Sequence, residues 1–195
     1  MKKVFLCLFL FLSALSTVHA QEAVDYLHVG DMLKFNKQKY YLGWSTKVSE
    51  NKYLQEYFPK GEEPDSFENM LSIWVNFERP IDPQYSMWLK EQELDQRKEK
   101  DGCCHYLAYE NDGKFMLDFM VSEGPGDGTL SVVESNIHFY QKVEIDGRDA
   151  LLLIFYSRRA YGDDIIPYLS MVRDSDTRTK WIEAMAKMQV NCSLK

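Results

Sequence analysis

The chain carries no internal repeat, no linker and no low-complexity tract, so its 195 residues read as one domain and not as an array of modules. Cationic residues are the minority, with 23 Lys and Arg against 30 Asp and Glu and a net charge of −7. No basic stripe is present. That excludes a protein that wraps nucleic acid, because phosphate neutralisation needs clustered cations. Beyond residue 20 no long apolar run exists, and a bilayer-spanning helix needs about 20 such residues. Hydrophobic residues at 45% and aromatics at 14% still supply a packed core, unlike the composition of a disordered tail.

The catalytic templates are missing too. There is no Gly-x-Ser-x-Gly elbow, and the loop Gly124-Pro125-Gly126-Asp127-Gly128 lacks the Lys-Ser/Thr that follows in a phosphate-binding loop. It reads as a tight surface turn. His28, His105 and His138 form no His-x-x-x-His or His-Glu pair, so no metal site and no cofactor is expected. Acidic residues are numerous enough to allow many spatial carboxylate pairs, which makes that signal unspecific.

What is present begins with the first twenty residues. Lys2 and Lys3 form a charged start, residues 4–12 an unbroken apolar run, and Val18-His19-Ala20 ends with small residues at the positions a signal peptidase reads. Cleavage is expected between Ala20 and Gln21, leaving a single globular domain over residues 21–195 in a periplasm or outside the cell. Loss of Lys2 and Lys3 leaves 21 basic residues against 30 acidic and a net charge of −9.

Cys7 leaves with that segment, so the exported chain holds Cys103, Cys104 and Cys192. An oxidising compartment favours pairing. Adjacent Cys103 and Cys104 would strain a mutual bridge, and the expectation is one disulfide from Cys192 to either of them. Cys104 beside His105 suggests a nucleophile and base, but neighbours on a strand point to opposite faces, and a structural role is favoured.

Two aromatic-rich runs, 39–47 and 52–58, read as a hairpin. Two prolines and a glycine within residues 58–64 break the second run, and Asp65 or Ser66 then predicts a short helix carrying Phe67 and Met70. Leu71, Ile73, Val75 and Phe77 alternate with Ser72, Trp74 and Asn76 as a half-buried strand does. Asp82-Pro83 opens an amphipathic helix to Lys100, with Tyr85, Trp88, Leu89 and Leu94 expected inward and the charged remainder, Lys90 included, in water. Strands at 105–110, 114–122 and 132–145 follow, turning at Asn111-Asp112-Gly113 and Asp146-Gly147. The run 150–156 is apolar on both faces, which makes it central, and helices at 163–172 and 174–188 close the chain.

This order predicts an α+β fold, an antiparallel sheet flanked by helices. It resembles the PsbP-like α/β/α sandwich shared by photosystem accessory proteins and small bacterial exported proteins of the DcrB type. The resemblance implies a binding or accessory role more often than catalysis. Arg158-Arg159-Ala160-Tyr161, read as a loop leaving the central strand, supplies two guanidinium groups and a ring of the kind enriched at interfaces. Arg158, Arg159 and Tyr161 are therefore the expected partner-binding residues. The reading is a non-enzymatic exported protein that binds another envelope or secreted protein, in one version an inhibitor or immunity protein; the alternative is a small-ligand carrier or minor hydrolase with a pocket between sheet and helices.

Overall fold

In chain order the elements are strands β1 (Met32–Phe35), β2 (Gln38–Ser49), β3 (Lys52–Phe58) and β4 (Asn69–Asn76), helix α1 (Pro83–Lys98), strands β5 (His105–Asn111), β6 (Lys114–Glu123), β7 (Val132–Ile145) and β8 (Arg148–Tyr161), a 3₁₀ turn (Gly162–Asp164), and helices α2 (Ile165–Val172) and α3 (Ser175–Ala186). This computed structural model describes residues 23–194, and the export segment with its expected cleavage point lies outside them. The strands form one sheet in the order β1-β2-β3-β4-β8-β7-β6-β5, every neighbour antiparallel. The fold is α+β with an antiparallel sheet.

β8 is interior, as its unbroken apolar run requires. It pairs along β7 from Arg148 to Tyr161 and along β4 from Leu151 to Arg158. Ala150, Leu152, Ile154 and Tyr156 point to one face, where Leu71, Ile73 and Val75 of β4 and Ile137 and Phe139 of β7 meet Ile165, Tyr168 and Val172 of α2 and Trp181 and Met185 of α3. A buried ion pair pins α3 here: Arg178 donates to both carboxylate oxygens of Asp118 at 3.1 and 2.5 Å. The chain ends cross the same face. Leu27 N–H donates to Gln55 Oε1 at 2.7 Å, and Ser193 N–H to the Leu27 carbonyl at 2.9 Å.

The opposite face carries Phe115, Leu117, Phe119 and Tyr140, closed over by Met87 and Leu94 of α1. The Asp82 carboxylate accepts from Tyr85 N–H at 3.0 Å, the cap its position implied. The inward stripe differs from expectation. Leu94 is buried as expected, but Tyr85, Trp88 and Leu89 are between 43 and 48% exposed, Met87 is buried instead, and Lys90 lays its ammonium 5.2 Å from the Phe119 ring centre. One helix on a sheet buries one stripe, and spacing alone left two apolar stripes competing for it.

Further elements depart from the sequence reading. β1 lies in a stretch, 31–38, to which the sequence reading assigns no element. The predicted short helix is absent: Met70 belongs to β4, and the Glu62 carboxylate accepts from Glu68 and Asn69 N–H at 2.8 and 2.6 Å, holding that loop without a helix.

The expected disulfide is not formed. Cys103, Cys104 and Cys192 are all free thiols. Cys104 faces α1, its Sγ 3.5 Å from the Leu94 carbonyl. Cys103 heads β5, while Cys192 precedes the Ser193–Leu27 bond on the β3 side. Five strand steps, roughly 24 Å at about 4.8 Å each, separate β3 from β5, far beyond the ~7 Å Cα limit of a bridge. Burial, and secondarily Asp25, push the Cys192 thiol up to about 12, which keeps it inert. Thiol titration of residues 21–195 in denaturant without reductant should therefore find all three free; finding one would mean that two had paired.

Candidate functional site

α1 is about 10 Å across, so it spans only two or three strands spaced ~4.8 Å apart. On its face it packs against β5, β6 and β7, and no described helix packs on this face of β2, β3 or β4. The uncovered half presents Tyr41, Trp44 and Thr46 from β2, Leu54 and Glu56 from β3, Met70, Ser72 and Trp74 from β4, and Phe155 from β8.

Register fixes how these groups meet. Trp44, Glu56, Ser72, Phe155 and His138 stand opposite one another in one row across five strands. Thr46, Leu54, Trp74 and Leu153 make the next row. A bulge between Leu42 and Trp44 inserts one residue, which brings Tyr41 and Trp44 onto the same face despite their odd spacing. Glycine is required inside it: a Cβ on Gly43 would lie 2.7 Å from the Phe58 ring. Tyr41 and Trp44 remain 42 and 40% exposed.

Two polar groups on this face have no hydrogen-bond partner among the described residues. The half-buried Glu56 carboxylate accepts no hydrogen bond, and burial, opposed by the Arg159 charge, raises it from an ordinary 4.5 to about 7. Ser72, directly opposite Glu56, has its hydroxyl buried and unpaired. Such groups cost free energy in the unliganded protein and reward a ligand that satisfies them. Where the open half meets α1, His138 stacks on Phe155 with ring centres 4.3 Å apart, and its Nδ1 lies 3.2 Å from Tyr140 Oη. Burial, with the Lys90 charge adding, holds that imidazole well below its usual range and neutral. Ser72 and Glu56 thus face each other across the β3–β4 ladder, beside the His138–Phe155 stack.

Arg158, Arg159 and Tyr161 do not lie on a loop. β7 pairs with β8 as far as Tyr161, so all three are the last residues of the central strand, and alternation sends the two guanidinium groups to opposite faces. Arg159 forms an ion pair with Glu134 and stacks 4.1 Å from the Phe67 ring centre at the upper end of the open face. Tyr161 Oη donates to the Phe67 carbonyl at 3.0 Å. Arg158 turns to the α2/α3 face, 5.4 Å from the Trp181 ring centre and 5.9 Å from that of Tyr168. The three residues line a cleft of about 320 Å³ with Glu68, Asp164 and Tyr168. A second cleft, about 430 Å³, runs between β1 and the end of α3, lined by Met32, Phe35 and Met188.

Sequence reasoning singled out the arginines and passed over Trp44, Glu56, Ser72 and Trp74. A signal existed. Trp74 shares the polar side of its strand with Ser72 and Asn76, opposite Leu71, Ile73 and Val75, and a tryptophan on the polar side marks a face with something still to bury.

A protein-family model matches residues 27–190, from the β1 lead-in to beyond α3. The chain belongs to that family. The match brings no activity, substrate or partner with it. No curated protein and no solved structure matches the chain.

Glu56 makes stability depend on pH. Its folded pKa lies above its unfolded value, so between about 4.5 and about 7 the folded state holds a proton that the unfolded state has lost, and stability falls as pH rises through that window. Glu56→Gln should therefore raise the thermal midpoint at pH 8, by up to ~3 kcal/mol in stability, and leave it unchanged near pH 4. Equal effects at both pH values would place Glu56 in an ordinary solvated setting.

Proposed function

We propose that this is an exported, non-enzymatic binding protein of the bacterial envelope, and that the open half of its α1 face receives a segment of another envelope or secreted protein. The observation that carries this reading is the exposed aromatic surface around Trp44 and Tyr41 beside the unpartnered Glu56 and Ser72. Well-buried patches of this composition, aromatic at the centre with few polar groups, are where binding energy concentrates.

Chemistry narrows the partner segment. A carboxylate next to tryptophan rings favours a Lys or Arg side chain, which pairs with the carboxylate and packs on the ring. The acidity of the chain, −7 overall and −9 without Lys2 and Lys3, favours a basic partner in the same sense. Arg158 and Arg159, the residues first expected to reach a partner's carboxylates, are less available for that task, since Arg159 is paired with Glu134 and Arg158 packs on rings. The export expected from the first twenty residues and the resemblance to the PsbP-like sandwich would both suit an accessory or inhibitor-type role, and an immunity-type protein is the concrete form.

The test captures partners from an envelope extract with the mature chain and three variants. Trp44→Ala and Glu56→Lys should keep the fold and weaken capture at least tenfold, about 1.4 kcal/mol, while Arg158→Gln on the opposite face captures normally. Capture lost in Arg158→Gln and kept in Trp44→Ala would move the site to the end of β8 and overturn this assignment.

A further inference from the structure

β5 is one of the two sheet edges, and all of its residues but Tyr106 are exposed. Natural sheets guard such an edge with inward charges, proline or a bulge. β5 has no proline and no bulge, carries a single acidic residue, Glu110, and presents Leu107 and Tyr109 on one face, 57 and 39% exposed.

The hairpin turn settles which backbone groups are free. Asp112 and Gly113 have φ of 49° and 70°, a two-residue turn of the primed kind, so Asn111 and Lys114 flank it as a hydrogen-bonded pair. Counting back by twos, Tyr109, Leu107 and His105 direct their amides and carbonyls to β6. Tyr106, Ala108 and Glu110 direct theirs outward.

We propose that β5 is the seam of a two-fold homodimer, pairing antiparallel with β5 of a second copy about Ala108 and carrying the sheet across both subunits. Self-pairing requires that residues i and j meet reciprocally. Centred on Ala108, every residue of β5 finds a partner: Ala108 meets the partner's Ala108 and Tyr106 meets the partner's Glu110 as hydrogen-bonded pairs, using the outward amides. Leu107 meets the partner's Tyr109 in the non-hydrogen-bonded position, where side chains approach most closely. Shifting the centre to residue 107 or 109 shortens the ladder and breaks the Leu–Tyr match.

Local charge fits a second copy, with Lys98 also paired to Asp95 at 3.0 Å. Lys98 at the end of α1 holds its ammonium 3.9 Å from the Tyr106 ring centre, on the face where Glu110 also projects. Pairing Tyr106 with the partner's Glu110 therefore brings that carboxylate towards Lys98, and the two-fold axis repeats the contact. The small Ala108 at the centre lets the backbones approach without obstruction.

Sedimentation equilibrium of the mature chain across a dilution series reads the outcome directly. The wild type should dimerise. Ala108→Pro removes an amide that β6 does not use, and should weaken self-association at least tenfold with the circular dichroism unchanged. Leu107→Lys, at an already exposed position, should do the same and decides the matter should the proline variant fail to fold. Glu110→Lys should weaken association severalfold, and Lys98→Glu added to it should restore it. A wild type that stays monomeric throughout, or a dimer indifferent to Leu107→Lys, overturns the proposal.

Discussion

A sheet eight strands wide measures roughly 38 Å across at about 4.8 Å per strand, while each helix laid on it covers about 10 Å. Both faces would need three or four helices apiece, and the described residues hold three in all. The consequences differ by face. The α2/α3 face is completed by the two chain ends, with Leu27, Val190, Cys192 and Leu194 filling what the helices leave. The α1 face has no such supplement, so its β2–β4 half stays open among the described residues. The open surface follows from width and helix number, not from a local irregularity.

Directional polar contacts fix where the few covering elements lie. The Asp25 carboxylate accepts from Val29, Gly30 and Gln55, which sets the path of the leading segment against β3. Asp118 and Arg178 hold α3 to β6. At the end of α1, Asp101 joins Arg97 to Ser122, accepting from Arg97 Nε at 2.9 Å and from Ser122 Oγ at 2.6 Å. Apolar burial drives each of these layers together, but it is indifferent to sliding. The buried ion pair and carboxylate brackets specify position, so α1 stays over β5 to β7 and does not drift towards β4.

Much of this was legible in the sequence. Turn chemistry marked the β5–β6 and β7–β8 hairpins, alternation marked β4 and β7, the Asp82 cap and Pro83 marked the start of α1, and the two-sided apolar run marked β8 as interior. What failed has one physical origin: periodicity shows which residues are apolar, not which of them acquire a partner. Tyr85, Trp88 and Leu89 looked as eligible for burial as Leu94, and Met87 was not singled out. Arg158 and Arg159 looked like loop residues because the apolar run stops at Tyr156, whereas ladder pairing with β7 carries the strand on to Tyr161. The cysteine pairing failed because strand order is a long-range fact: nothing local says that β3 and β5 lie five strands apart. Trp44 and Glu56 were visible as strand residues, and only the missing helix makes them a surface.

The Trp44 side of the sheet is open among the described residues, and the proposed partner would cover it. Hydroxyl-radical footprinting of the mature chain alone, read by mass spectrometry at individual residues, tests it most directly, because buried Trp181 serves as the internal reference. Rapid oxidation of Tyr41 and Trp44 is expected with Trp181 protected, and protection of Trp44 once a captured partner is bound. Trp44 as resistant as Trp181 in the free protein would mean that the face is already covered, and would contradict the account.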